Sequence, residues 1–209
     1  MSPRLSGDDR REHLLSVGVD LIGRHGIDDV SIDRIARAAG VSKGLLYHYF
    51  PTKDEFLLAV LARSQAEVDE HFERKRELSA LQQFDRNLEG FLRFVDERAA
   101  GYLAVATARG REPRVQRMLE SRRRRRVDEL VALAAALEQR PRELVRTPVL
   151  EAAIDGWLGY SEGVILRWLR ERRISRDQVH ALLRQALLQA FAASAEVAAD
   201  ANGHRASTP

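Results

Sequence analysis

The sequence predicts an all-α fold, with a small N-terminal helical domain followed by a larger helical bundle. Three observations predict it. Apolar residues recur at three and four positions along nearly the whole chain, the spacing of helices that bury one face. Extended alternation of β-branched residues is missing. Only six prolines occur in 209 residues, and Pro51, Pro113, Pro141 and Pro148 stand where helices would begin or be interrupted. The length suits one large or two small domains. A chain that is 44% hydrophobic and 31% charged has the composition of an ordinary folded protein, not a disordered one.

The elements follow in order. The first helix is expected over residues 9–25, with Asp8 and Asp9 suiting its N-terminus by capping and by the helix dipole. Leu14, Leu15, Val19, Leu21 and Ile22 give it its apolar character, and Gly26 suits a left-handed cap after it. A short second helix starts after Ser31, a good N-cap, and buries Ile32, Ile35, Ala36 and Ala39. Gly40-Val41-Ser42 reads as a tight turn, and Ser42 caps a third helix that reaches about Phe50 and is broken by Pro51-Thr52. A fourth helix begins near Lys53 and continues past Val68. Longer helices are expected over residues 80–98, 99–110, 113–138, 147–172 and 175–199. The domain division expected from this pattern is 1–55 and 56–199, with 200–209 a disordered tail.

Composition excludes several functions. There is no cysteine, so no disulfide framework, thiolate zinc site or cysteine nucleophile. No window approaches the uninterrupted apolar run of a membrane span, and the first residues carry no apolar signal core, so no membrane partner and a cytoplasmic location are expected. The net charge of +3 invites a nucleic-acid reading, but its distribution does not supply one. Residues 1–73 hold nine Lys/Arg and thirteen Asp/Glu, a net of −4, while residues 74–209 hold twenty-five and eighteen, a net of +7. Any DNA affinity in the N-terminal part must therefore come from local arrangement.

That arrangement lies in SIDRIARAAGVSKGLLYHYFPTKDE, residues 31–55. Two short helices joined by a glycine-containing turn are the helix-turn-helix plan, in which the first helix braces and the second reads the major groove. Ala36 and Ala39 are small enough for the two to pack closely, and Val41 and Leu46 plug their shared core. The stretch closely resembles the N-terminal pattern of the TetR family of bacterial regulators. The matching positions are Arg24-His25-Gly26, Ser31, Ile35-Ala36, Ala39-Gly40-Val41-Ser42, Gly44, Tyr47, Tyr49-Phe50 and Lys53, within residues 10–60. The resemblance implies DNA contact by Ser31, Lys43, Gly44, Tyr47, Tyr49 and Lys53, and also by Ser42 and His48. The residue chemistry agrees, since Lys, Ser and Tyr donate to phosphate, Lys43 at the start of the reading helix reaches guanine or phosphate, and Gly44 lets the backbone approach the groove. Two positions depart from the pattern. Leu45 stands where many relatives carry threonine, and leucine contacts a thymine methyl instead of a phosphate. Asp33 stands near the front of the bracing helix, where a cation would help.

One reading helix makes few contacts, so a homodimer on two half-sites is expected. Ala152, Gly156, Gly159 and Gly163 form one stripe of small residues, and Ala186, Ala190, Ala193 and Val197 form another on the last helix. The resemblance implies dimerisation through the last two long helices, to which both stripes would contribute; the alternative is that they only pack on each other within one chain. Asp155 and Glu162 share a face, with Trp157, Tyr160, Ser161 and Trp168 nearby. Together with Phe84, Phe91, Phe94 and Tyr102 they are candidates to line the inducer pocket that the resemblance implies. An ion pair with a nearby arginine is the alternative for Asp155 and Glu162, and ordinary core for the aromatics. The run Arg122 to Arg126 spans more than one helical turn and reads as a solvated face, the alternative being a second anion site or the anchor of an acidic ligand.

The function these readings favour is a ligand-responsive DNA-binding regulator. As a repressor it would bind a near-palindromic double-stranded operator and be released by a small molecule. The competing readings are an architectural DNA-binding protein without a ligand and an all-helical enzyme. No phosphate-cradling glycine loop, metal spacing or nucleophile–base pair supports an enzyme, so neither a cofactor nor a metal is expected.

Overall fold

A computed structural model describes residues 6–26, 29–70, 77–107 and 113–206. Among them the regular structure is all helical: α1 (Gly7–His25), α2 (Ile32–Ala38), α3 (Lys43–Tyr49), α4 (Lys53–Glu70), α5 (Ala80–Glu97), α6 (Ala99–Thr107), α7 (Pro113–Glu138), α8 (Arg142–Val145), α9 (Pro148–Glu171) and α10 (Arg176–Ala206). The expected stretch 108–110 lies outside the described residues. No helix among the described residues is long and apolar enough to cross a membrane.

Local chemistry sets most helix ends. Ser31 and Ser42 cap α2 and α3, accepting from the amides of Arg34 at 3.2 Å and Leu45 at 3.1 Å. Ser6, not the Asp8-Asp9 pair, caps α1 by accepting from the Asp9 amide at 3.1 Å, so the helix starts two residues earlier than expected. The two aspartates occupy the first turn, where they complement the dipole. Gly26 has φ 79 and ψ 163, a conformation reserved for glycine but extended instead of the left-handed helical one expected. Gly40 makes the turn between α2 and α3 at φ 66. Thr147 caps α9 ahead of Pro148.

Three differences from expectation have physical causes. The four-residue α8 is too short to carry a periodic signal, and only Pro141 at its N-cap marks it. The tail expected to be disordered from residue 200 continues α10 to Ala206, because extending an existing helix avoids the cost of nucleation and carries even Asn202 and Gly203. The chain also divides elsewhere than at 55: one compact unit comprises residues 1–73 and 94–118, the other 74–93 and 119–209. Helix α4 runs unbroken through position 55 and packs on α1, with Phe56 and Val60 fully buried. Helix α6, small and apolar on all sides, also packs on α1.

The first unit is held by Leu14 and Ile22 of α1, Ile35 of α2, Leu46 of α3, and Phe50 and Phe56, all at most 2% exposed. Phe50 and Phe56 meet edge-to-face at 5.1 Å, and Arg11 lies over Phe50 at 5.2 Å. In the second unit α9 packs along α10. Ile154, Trp157, Ser161, Ile165 and Trp168 of α9, at three-and-four spacing, and Val179, Leu183, Leu187 and Phe191 of α10, four apart, are buried. The Trp157 indole N–H donates to the Leu183 carbonyl at 2.9 Å, which fixes the register between the two helices.

Candidate nucleic-acid interface

The helix-turn-helix is rigid on one side and open on the other. Leu46 is fully buried and Phe50 nearly so, and these two turn α3 so that Lys43, Gly44, Tyr47 and His48 face solvent. Tyr47 is 46% exposed, more than a core tyrosine would be, and so is free to offer its hydroxyl outward. A Cβ built on Gly44 would meet only the Ser42 Oγ at 3.9 Å, so intramolecular packing does not require glycine there. What glycine provides at that position is room for something outside the chain to approach the backbone.

The two capping serines, Ser31 and Ser42, are exposed. Each uses an oxygen lone pair on its helix, and the cap does not use its O–H. Tyr49 is half-buried, its ring edge-on to His48 at 5.3 Å, and its hydroxyl lies beside the start of α1, 3.9 Å from where a Cβ of Gly7 would be. Lys53 begins α4 and is half-buried, as is Leu45. Helix α1 braces the turn from behind. His13 Nε2 lies 3.2 Å from the Ala39 carbonyl, a geometry that requires the proton on Nε2, and Arg63 of α4 pairs with Glu12 at 2.6 Å.

Sequence reasoning missed one pairing on this face. The Lys43 ammonium forms an ion pair with the Asp33 carboxylate, joining the first turn of α3 to the first turn of α2. The signal was present in Asp33's departure from the expected cation, but not its partner.

The pocket candidates are dispersed. In the second unit Phe84 and Trp157 meet at 6.1 Å, Phe91 and Glu162 are half-buried, and Tyr160 is 42% exposed. Asp155 is held by Arg123 of α7 at 2.5 Å, and the same guanidinium also donates to the Asp155 carbonyl at 2.8 Å. Phe94 and Tyr102 fall in the first unit, where Arg98 lies over the Phe94 ring at 4.6 Å. Ser161, between Trp157 and Trp168 on α9, is 7% exposed and its hydroxyl has no partner. A buried hydroxyl left unpaired costs about 1–3 kcal/mol, so this one is the polar group in the α9 core with most to gain from a ligand.

The two stripes of small residues are open. Ala152, Gly156, Gly159 and Gly163 are exposed, and a Cβ built on any of the three glycines meets nothing within 4 Å. Ala193 and Val197 of α10 are exposed, Val197 by 55%, with Ala186 and Ala190 half-buried. The glycines therefore do not serve a close approach within the chain.

Comparison with known proteins agrees with this geometry. The family model "Bacterial regulatory proteins, tetR family" matches residues 14–60, and "Tetracyclin repressor-like, C-terminal domain" matches residues 81–194, more than half of the chain. The HTH-type transcriptional regulator EthR of Mycobacterium tuberculosis is 38% identical over 66 residues, which span 32% of this chain and 31% of that protein. The match thus covers about a third of that relative's length. A tetR-family transcriptional regulator from Streptomyces coelicolor superimposes with a TM-score of 0.78 at 28% identity, covering 92% of this chain and 85% of that one. A TetR-like transcriptional regulator from Rhodococcus superimposes with a TM-score of 0.70 at 26% identity, covering 90% and 99%. With both its helix-turn-helix and its helical bundle matched, the chain belongs to the TetR family of bacterial transcriptional regulators.

Proposed function

We propose that the chain works in the cytoplasm as a homodimer on a near-palindromic double-stranded operator, and that a small molecule in its C-terminal bundle releases it. That makes it a ligand-responsive repressor. The observation that carries the reading is the outward face of α3, where Lys43, Gly44, Tyr47 and His48 are exposed while Leu46 and Phe50 anchor the helix from behind. Lys43 and Leu45 read base edges; Ser31, Ser42, Tyr47, Tyr49 and Lys53 hold phosphates, and His48 reaches either. The exposed stripes of α9 and α10 support pairing of two copies. The buried, unpartnered Ser161 hydroxyl beside Trp157 supports an apolar effector with at least one polar group. Such an effector weakens operator binding only by the difference in its affinity for the two states of the dimer.

The test is selection of duplexes from a random-sequence pool by the purified protein, followed by footprinting of the winner. The expected result is an inverted repeat whose half-sites lie about 34–36 Å apart or a multiple of that. Recovery of unrelated sequences with equal affinity at moderate salt would overturn operator recognition and favour non-specific coating of DNA.

A further inference from the structure

We infer that Asp33 is a specificity-determining residue for DNA, acting through Lys43. This rests on the reading of α3 as the helix that enters the groove. Both side chains of the Asp33–Lys43 pair are largely exposed, at 51% and 61%. An exposed pair of this kind is worth about 0–1 kcal/mol of stability. The fold does not need it: Ser31 caps α2, Ser42 caps α3, and Ile35, Ala36 and Leu46 bury the contact between them. Asp33 complements the dipole of α2 from its first turn, as Asp8 and Asp9 do in α1, but any first-turn carboxylate would do so, and nothing in that role calls for one that meets Lys43.

Its position does. Asp33 lies in the first turn of α2, two residues after Ser31, and its carboxylate meets the ammonium at the first residue of α3. A carboxylate there repels every phosphate that approaches, whatever the sequence, and it neutralises the lysine that would otherwise be attracted to any phosphate. Lysine alone on this face would add sequence-independent affinity by releasing one counterion from DNA. Paired with Asp33, it adds almost none. An ammonium has three N–H donors, however, so Lys43 can keep one on Asp33 and direct the others to an acceptor pair such as guanine O6 and N7. Asp33 thus removes Lys43 from phosphate binding and aims it at a base edge. The affinity lost on random DNA is larger than that lost on the right base, and the difference is specificity.

The experiment compares the wild-type chain, Asp33→Asn, Asp33→Glu and the double variant Asp33→Asn/Lys43→Met on two duplexes, the wild type's selected site and a scrambled sequence of equal length, each across a salt series. Asp33→Asn is expected to bind the scrambled duplex about tenfold more tightly, with the salt slope on it steeper by about one. Its preference for the selected site shrinks correspondingly. Asp33→Glu keeps the charge and restores most of the preference, and Lys43→Met cancels the gain of Asp33→Asn, because the effect runs through the lysine. Unchanged affinity and slope on scrambled DNA, or equal weakening on both duplexes, would overturn the assignment while leaving operator binding intact. If the wild type selects no common site at all, operator recognition and this inference fall together.

Discussion

A serine oxygen has two lone pairs and one hydrogen, and Ser31 and Ser42 divide them. A lone pair accepts the amide of Arg34 or Leu45, and on the proposed reading the hydrogen is left for a phosphate. The task proposed for Lys53 is simpler, since a point charge at the start of α4 would hold a phosphate without regard to base. Lys53→Ala is therefore expected to weaken binding to selected and scrambled duplexes alike, and to flatten the dependence of affinity on salt by about one unit of slope. A salt titration checks it, and an unchanged slope would remove Lys53 from the interface. At this scale the capping serines were legible in the sequence because a cap is a local rule, settled within three residues. Partners across helices were not. The Arg123–Asp155 pair joins residues 32 positions apart, and Asp33 meets Lys43 only because of the angle at which α2 and α3 cross. Nothing in helical periodicity fixes such an angle.

Helix crossings decide what each glycine is for, and glycines that look alike in sequence separate here. A Cβ on Gly18 of α1 would fall 2.5 Å from Phe56 Cζ and 2.6 Å from Val60 Cγ2 of α4. Neither neighbour can retreat, because Phe56 and Val60 are 0% and 2% exposed within a close-packed core and valine is stiff at χ1. Alanine normally gains up to about 1 kcal/mol over glycine inside a helix. At position 18 overpacking reverses the sign, and Gly18→Ala is expected to destabilise the chain by about 1–3 kcal/mol, read as a lower urea midpoint at unchanged slope. A midpoint raised by the substitution would mean that α1 and α4 can separate at little cost. The existence of these helices was legible from apolar spacing, as were the starts of α2, α3 and α9. The grouping of α4 and α6 with α1 was not, because spacing shows which face of a helix is buried but not against which neighbour.

Charge across the whole molecule gives the proposed second copy a physical reason. Residues 1–73 carry a net of −4, and the pairing of Lys43 with Asp33 removes one of the few cations on the reading face. A single copy thus has little long-range attraction for DNA and only a short helix to read it with. Joining two copies would make the second half-site encounter intramolecular and multiply the weak single-site affinity. The faces available for joining are the small-residue stripe of α9 and, on α10, Leu182, Ala186, Ala193 and Val197, which recur at helical spacing and are exposed or half-exposed. A Cβ at Gly159 meets nothing within 4 Å and the residue is exposed, so Gly159→Leu is expected to leave the isolated fold unstrained, apart from an exposed apolar group. Against a partner helix the same side chain holds the backbones apart and removes their close contact. The wild type is expected to sediment at twice the chain mass of 23.6 kDa. Gly159→Leu is expected to shift toward the single-chain mass at the same concentration, to keep its helical circular dichroism, and to lose cooperative occupancy of paired half-sites while still binding one weakly. A variant that remains fully dimeric would place the partner contact away from this stripe, and the four-and-three spacing of its glycines would then have no structural account.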